Sequence, residues 1–166
     1  MSKTNPPVFT IKKAKKTDVP LILEFIKALA DYEKLSEMVV ATEALLEETL
    51  FGERTVAEVI IGYEEDEPAA FALFFHNYST FLGMPGIYLE DLFVKPEFRR
   101  KGYGKIMLTE LARITVERKC GRLEWSVLDW NTPAIDFYKS LGAVPMDEWT
   151  IFRLTGESLL QMGKKE

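Results

Sequence analysis

Gly86-Ile87-Tyr88-Leu89-Glu90-Asp91-Leu92-Phe93-Val94, followed at once by Lys95-Pro96-Glu97-Phe98-Arg99-Arg100-Lys101-Gly102-Tyr103-Gly104-Lys105, decides the fold. The first nine residues read as a central strand, and Pro96 stops it. Beyond the basic, glycine-containing turn, Ile106, Met107, Leu108, Leu111, Ala112, Ile114 and Val116 cover the wide apolar face of a helix packed on a sheet, running to about Lys119. Strand, glycine turn and helix N-terminus together form an anion site, where free backbone N–H groups and the helix dipole meet phosphate oxygens. A dinucleotide fingerprint needs a third glycine where Met107 stands. A P-loop needs Ser or Thr where Ile106 stands and a glycine where Arg99 stands. What remains is R-x-x-G-x-G, at Arg99, Gly102 and Gly104. The strand also carries two adjacent acids. Simple alternation predicts Glu90 on a face with Tyr88, Leu92 and Val94, and Asp91 on the other with Leu89 and Phe93. They are then no paired dyad. Carboxylates in an apolar strand are costly unless partnered, so each is either structural cement or part of a site.

Outward from this stretch, strand and helix signals interleave. Val8–Lys13 reads as a short strand. Thr17-Asp18-Val19-Pro20 opens an amphipathic helix through Ile22, Phe25, Ile26 and Leu29 that fades near Tyr32-Glu33-Lys34. Thr42 caps a second helix through Leu45, Leu46 and Leu50, stopped by Gly52. Val56–Tyr63 and Ala69–His76 read as strands joined by an acidic turn, Glu64-Glu65-Asp66-Glu67-Pro68, expected to be solvated, and Asn77–Gly86 reads as a loop. Leu123–Leu128 reads as a strand, Thr132–Leu141 as a helix capped by Asn131 and ended by Gly142, and Trp149–Leu154 as a last strand with Trp149 in the core. The order predicts an α/β fold with a mixed central sheet flanked by helices on both faces, as a single domain over 1–166 with short tails at 1–7 and 163–166.

The chain has 166 residues, 47% of them hydrophobic, and a net charge of −5, the profile of one globular domain. Single residues of Cys and His, Cys120 and His76, exclude a disulfide framework and a two-His zinc site, so no metal is expected. The acidic balance argues against nucleic acid as a partner. With no apolar run of membrane-spanning length and no secretory-type start, the expectation is a cytoplasmic protein without a membrane partner.

R-x-x-G-x-G behind Leu-Glu-Asp-Leu-Phe-Val, with Asn131-Thr132-Pro133-Ala134-Ile135-Asp136-Phe137-Tyr138 downstream, resembles the GNAT family, the Gcn5-related N-acetyltransferases. Tyr88–Asp91, Asp129-Trp130-Asn131 and Ala30–Glu33 are similar to its diamine acetyltransferase branch, and Tyr78–Thr80 to the thialysine type within it. The resemblance implies direct transfer of an acetyl group from acetyl-CoA to a small primary amine, by a homodimer. It implies Glu90 as proton acceptor, Tyr138 as proton donor to the departing thiolate, and the Leu92 N–H as the group that polarises the thioester. The donor would lie on Leu92, Phe93, Val94, Arg99, Arg100, Lys101, Gly102, Tyr103, Gly104, Lys105, Asn131, Ala134 and Tyr138, and the acceptor on Tyr32, Glu33, Glu90 and Asp91. Many relatives have glycine where Arg100 stands, and the expectation is that this position needs no positive φ. Two rival readings remain: a protein or peptide acetyltransferase, and an acetyl-CoA-binding regulator without turnover.

Overall fold

The computed structural model describes residues 7–164. The expectations for the tails at 1–6 and 165–166 lie outside the described residues. The chain divides into two compact units, one ending at Ser126 and one beginning at Val127.

The first unit is a five-stranded sheet in chain order: β1 (Phe9–Lys13), β2 (Glu58–Glu64), β3 (Glu67–Ser79), β4 (Met84–Val94) and β5 (Leu123–Trp125). The first four are antiparallel neighbours; β5 joins β4 in parallel after a crossover through α3 (Tyr103–Glu117). A parallel pair needs such a long connection, which is why the basic turn leads into a helix. Helices α1 (Val19–Tyr32) and α2 (Glu43–Phe51) precede β2. Pro20 falls in the first turn of α1, and the Thr42 hydroxyl accepts the Leu45 N–H at 3.2 Å to cap α2, as the sequence reading expects.

The two helical layers bury different sheet residues. Ile22 and Phe25 of α1 and Leu46 and Leu50 of α2 cluster with Val59, Ile61, Phe71 and Phe93. Phe25 stacks on Phe71 with ring centroids 5.0 Å apart. Each such fully buried ring contributes about 2–3 kcal/mol of transfer free energy. On the opposite face α3 buries Met107, Leu108 and Leu111. Gly62 is required beneath it, since a Cβ there would lie 2.3 Å from the Phe9 ring and 3.1 Å from the Met107 sulfur.

Three expectations are corrected here. Asn77–Gly86 is not a loop: β3 continues to Ser79 and β4 begins at Met84, leaving a four-residue turn. Glu64 is not in a solvated turn but is the last residue of β2, paired with Phe9 and Glu67. The strand expected over Leu123–Leu128 ends at Trp125.

The second unit holds α4 (Thr132–Ser140) and α5 (Gly156–Met162), the latter missed by the sequence reading. The Asn131 side chain accepts the Ala134 N–H at 3.4 Å, and Gly142 follows α4 with φ 88°. Trp149–Leu154 forms no strand. Its alternating apolar residues require a ladder partner, and no described strand provides one. Trp149, expected in the core, is 69% exposed and Phe152 92%.

Candidate active site

The β4 strand contains a defect that sets the site. Leu73 of β3 pairs with Asp91, but the next residue, Phe74, pairs with Leu89, so Glu90 is an extra, unpaired residue in a β-bulge. The bulge inverts the strand's parity. Tyr88 lies across from Phe75 and Asp91 from Leu73, on the α1/α2 side, whereas Leu92 lies across from Ala72 on the α3 side. Tyr88 and Leu92 therefore do not share a face, nor do Leu89 and Asp91, and the simple alternation expected from sequence fails at Glu90. Glu90 is exposed and Asp91 half-buried.

The same bulge rotates the backbone. Before it, the Ile87 N–H points toward β5, donating to the Arg122 carbonyl at 3.0 Å. After it, the N–H of Lys95, also odd-numbered, points the other way, to the Ala69 carbonyl of β3 at 2.9 Å. Alternation between these points turns the N–H groups of Leu92 and Val94 toward the β5 edge. Yet the β4–β5 ladder ends at Leu89↔Trp125. From Glu90 to Val94 that edge of β4 has no strand neighbour among the described residues. It can accept an extended ligand by main-chain pairing.

The basic turn begins where this edge ends. Pro96–Phe98 makes a 3₁₀ turn, Arg100 has φ 64°, and Gly102 caps α3 with φ 85°. The expectation that Arg100 avoids positive φ is thus corrected: it occupies the left-handed region that glycine fills without cost. The Arg99 Nε donates to the Val94 carbonyl at 3.0 Å, and its guanidinium lies 4.5 Å from the Tyr32 ring and 5.3 Å from that of Phe93. The Lys101 ammonium sits 2.8 Å from both carboxylate oxygens of Glu64, to which the Tyr103 hydroxyl also donates. Burial, then that hydrogen bond, pushes the Tyr103 phenol up to about 12. Gly104 and Lys105 lie in the first turn of α3, whose leading N–H groups have no helical partner. Phe93, expected among donor contacts, is buried in the core beside Tyr32, 6.4 Å between rings.

On the α1 side a cavity of about 320 Å³ is lined by Ile26, Leu29, Ala30, Glu33, Leu35, Met38, Val39, Val40, Ala41 and Asp91. Its apolar walls crowd two acids. Burial, then the charges of Glu90 and Glu33, pushes the Asp91 carboxyl up to about 6. Burial also raises Glu33. The structure so brings Tyr32, Glu33 and Asp91 to one region. The residue 35–41 walls escaped the sequence reading; their only signal is Leu35, Met38, Val39 and Val40 standing apolar between two helices.

In the second unit Asn131, Ala134 and Tyr138 follow one another at spacings of three and four, one face of α4, with Phe137 and Tyr138 rings 5.5 Å apart. Among the described residues no group of His, Cys, Asp or Glu could hold a metal ion, and no helix is long and apolar enough to cross a membrane.

A bulged, half-open β4 leads into a glycine-bearing turn at a helix N-terminus, and similarity to known proteins gives the class and the family. Residues 25–143 match the model of the acetyltransferase (GNAT) family. A thialysine N-epsilon-acetyltransferase of Bos taurus is 38% identical, over 93% of this chain and 97% of its own length. An L-ornithine N5-acetyltransferase of Arabidopsis thaliana is 35% identical, over 93% and 87%. Among solved structures, an integron cassette protein from the mobile metagenome of V. cholerae superposes with a TM-score of 0.79 at 30% identity, over 95% of this chain and 98% of its own. The chain belongs to the GNAT acetyltransferase family, in the branch of the diamine acetyltransferases. It is an N-acetyltransferase enzyme.

Proposed function

We propose that the protein moves an acetyl group from acetyl-CoA to the primary amine of a small, lysine- or diamine-like acceptor such as thialysine or ornithine, working in the cytoplasm and pairing with a second copy. The observation that carries this reading is the coincidence, at the Glu90 bulge, of an open strand edge, an anion turn and an apolar cavity holding two acids. The family uses acetyl-CoA as co-substrate. Its pantetheine arm would lie along the Leu92 and Val94 edge and its pyrophosphate on Arg99 to Lys105, with the Leu92 N–H stabilising charge on the thioester oxygen. Asn131 and Ala134 would add further donor contacts, and Tyr32, Glu33 and Asp91 would form the acceptor's cation site.

The acceptor nitrogen attacks the thioester carbon, the C–S bond breaks, and the amine's surplus proton must leave. An amine of pKa near 10.4 is neutral about once in 10³ at pH 7, a penalty of roughly 4–5 kcal/mol. Glu90, at the bulge, is the proton acceptor; Tyr138 returns a proton to the departing thiolate. The exposed apolar row from Val144 through Met146, Trp149, Ile151 and Phe152 to Leu154 supports pairing of two chains, since a monomer gains nothing by wetting it.

The test is thiol release from acetyl-CoA against thialysine, lysine, ornithine, putrescine, spermidine, spermine and a Lys peptide, with light scattering for the dimer. Turnover with thialysine, ornithine or lysine is expected. Exclusive use of the peptide supports a protein acetyltransferase instead, and tight acetyl-CoA binding without turnover a regulator.

A further inference from the structure

We propose that Glu64 is a positioning residue of the donor site: from the end of β2 it holds Lys101 and Tyr103 so that the turn 99–104 keeps the shape that receives a pyrophosphate. The inference rests on the acetyl-CoA reading above. Three observations meet in it. First, the turn is in a conformation the backbone alone does not favour, with Arg100 at φ 64° and Gly102 at φ 85° on either side of Lys101. A left-handed non-glycine residue such as Arg100 persists only where the surrounding structure over-determines it. Second, the Lys101 side chain is held, by two 2.8 Å contacts from its ammonium to one carboxylate. Third, the anchor is rigid. Glu64 is in register with Phe9 and Glu67, its side chain is 15% exposed, and the Tyr103 ring that donates to it stacks on Phe9 with centroids 4.0 Å apart.

Charge explains the need. Arg99, Arg100, Lys101 and Lys105 gather beside the positive end of α3, and like charges repel until an anion arrives. In the free enzyme Glu64 supplies that anion from the side. With its ammonium turned to Glu64, Lys101 serves the donor by fixing the turn it belongs to. A surface ion pair stabilises the fold little, so the effect belongs to donor binding more than to unfolding.

The experiment compares wild type, Glu64→Gln, Lys101→Met and the double variant. It reads acetyl-CoA KM, acceptor KM and kcat, with CoA affinity by calorimetry, and repeats turnover with S-acetylpantetheine, which lacks every phosphate. The expected result is a rise in acetyl-CoA KM and CoA Kd of about tenfold in each single variant, the scale of one lost charge-assisted contact. In Glu64→Gln acceptor KM and kcat stay within twofold and turnover of S-acetylpantetheine matches wild type, and the double variant loses no more donor affinity than either single one. Unchanged CoA affinity in Glu64→Gln overturns the inference. Additive losses in the double variant overturn it too, since Lys101 would then bind phosphate independently. Lys101→Met, at an exposed ammonium, keeps the test open if Glu64→Gln does not fold. Wild type that fails to bind CoA sinks the acetyl-CoA reading instead.

Discussion

The turn after β4 and the cavity beside it treat charge in opposite ways. In the turn, cations are gathered and two of them are held: Lys101 by Glu64, Arg99 by the Val94 carbonyl and two aromatic rings. In the cavity, acids are gathered against apolar walls, and Asp91 is pushed up to about 6 by burial and by its neighbours' charge. The first region is preorganised for an anion and stable without it. The second is strained by its own charge and relaxes when a cation enters. Under the proposed function, a donor that always brings the same pyrophosphate would suit a fixed cradle, and an acceptor that must give up a proton a site whose electrostatics change on binding.

The largest effect that separates the two regions belongs to Glu90. Glu90→Gln removes the proposed proton acceptor and leaves the turn untouched. Its kcat is expected to fall about 10²–10³-fold, the usual worth of a general base, while CoA affinity stays within twofold. Full activity in this variant and in Tyr138→Phe ends the proton-transfer scheme.

Asp91 is the next. Burial, then the charges of Glu90 and Glu33, lifts its carboxyl from the ordinary 3.8 to about 6. Between those values the native state holds a proton that the unfolded state has lost, so stability falls as pH rises from about 4 to about 6, and the penalty is complete above that. It amounts to roughly 2–3 kcal/mol. Asp91→Asn is therefore expected to raise Tm at pH 7.5 and to leave it unchanged near pH 4. In function the sign reverses: wild-type kcat/KM for the amine drops below pH 6 as Asp91 takes up its proton. Asp91→Asn removes that limb and raises the acceptor KM at pH 7.5 by about tenfold. A Tm gain that is equal at both pH values shows that charge is not the strain.

How much of this was legible in the sequence depends on what each feature rests on. Hydrophobic period and caps announced α1, α2, α3 and α4, because Ile22, Phe25 and Leu29 or Met107, Leu108 and Leu111 recur at helical spacing whatever surrounds them. The R-x-x-G-x-G turn was legible because its glycines and cations are local. The bulge was not: Asp91 shares a face with Phe93 as alternation expects, but one extra residue in β4 leaves no mark in composition, and it puts Tyr88 rather than Leu89 on that face. Glu64 hid among its acidic neighbours, since its partners lie 37 and 39 positions away. Trp149–Leu154 carries a sound strand pattern and forms none, for pattern states what a segment can pair with, not that a partner exists.

The smallest expected effect sharpens the contrast at the backbone. Of the lysine and arginine residues in the left-handed region, two flank the two regions compared: Lys34 at φ 61° just past α1, beside the cavity, and Arg100 at φ 64° in the turn. A side chain there costs roughly 1–2 kcal/mol relative to glycine, partly offset by the greater freedom glycine has when unfolded. Arg100→Gly and Lys34→Gly are each expected to gain about 0.5–1 kcal/mol, or some 1–4 °C in Tm for a chain of this size. Only Arg100→Gly should also touch the donor, raising acetyl-CoA KM two- to threefold through the lost charge while acceptor KM stays fixed. If Arg100→Gly gains stability with no change in donor KM, the arginine is strain without service, and the turn's hold on phosphate comes from its backbone and from Glu64 alone.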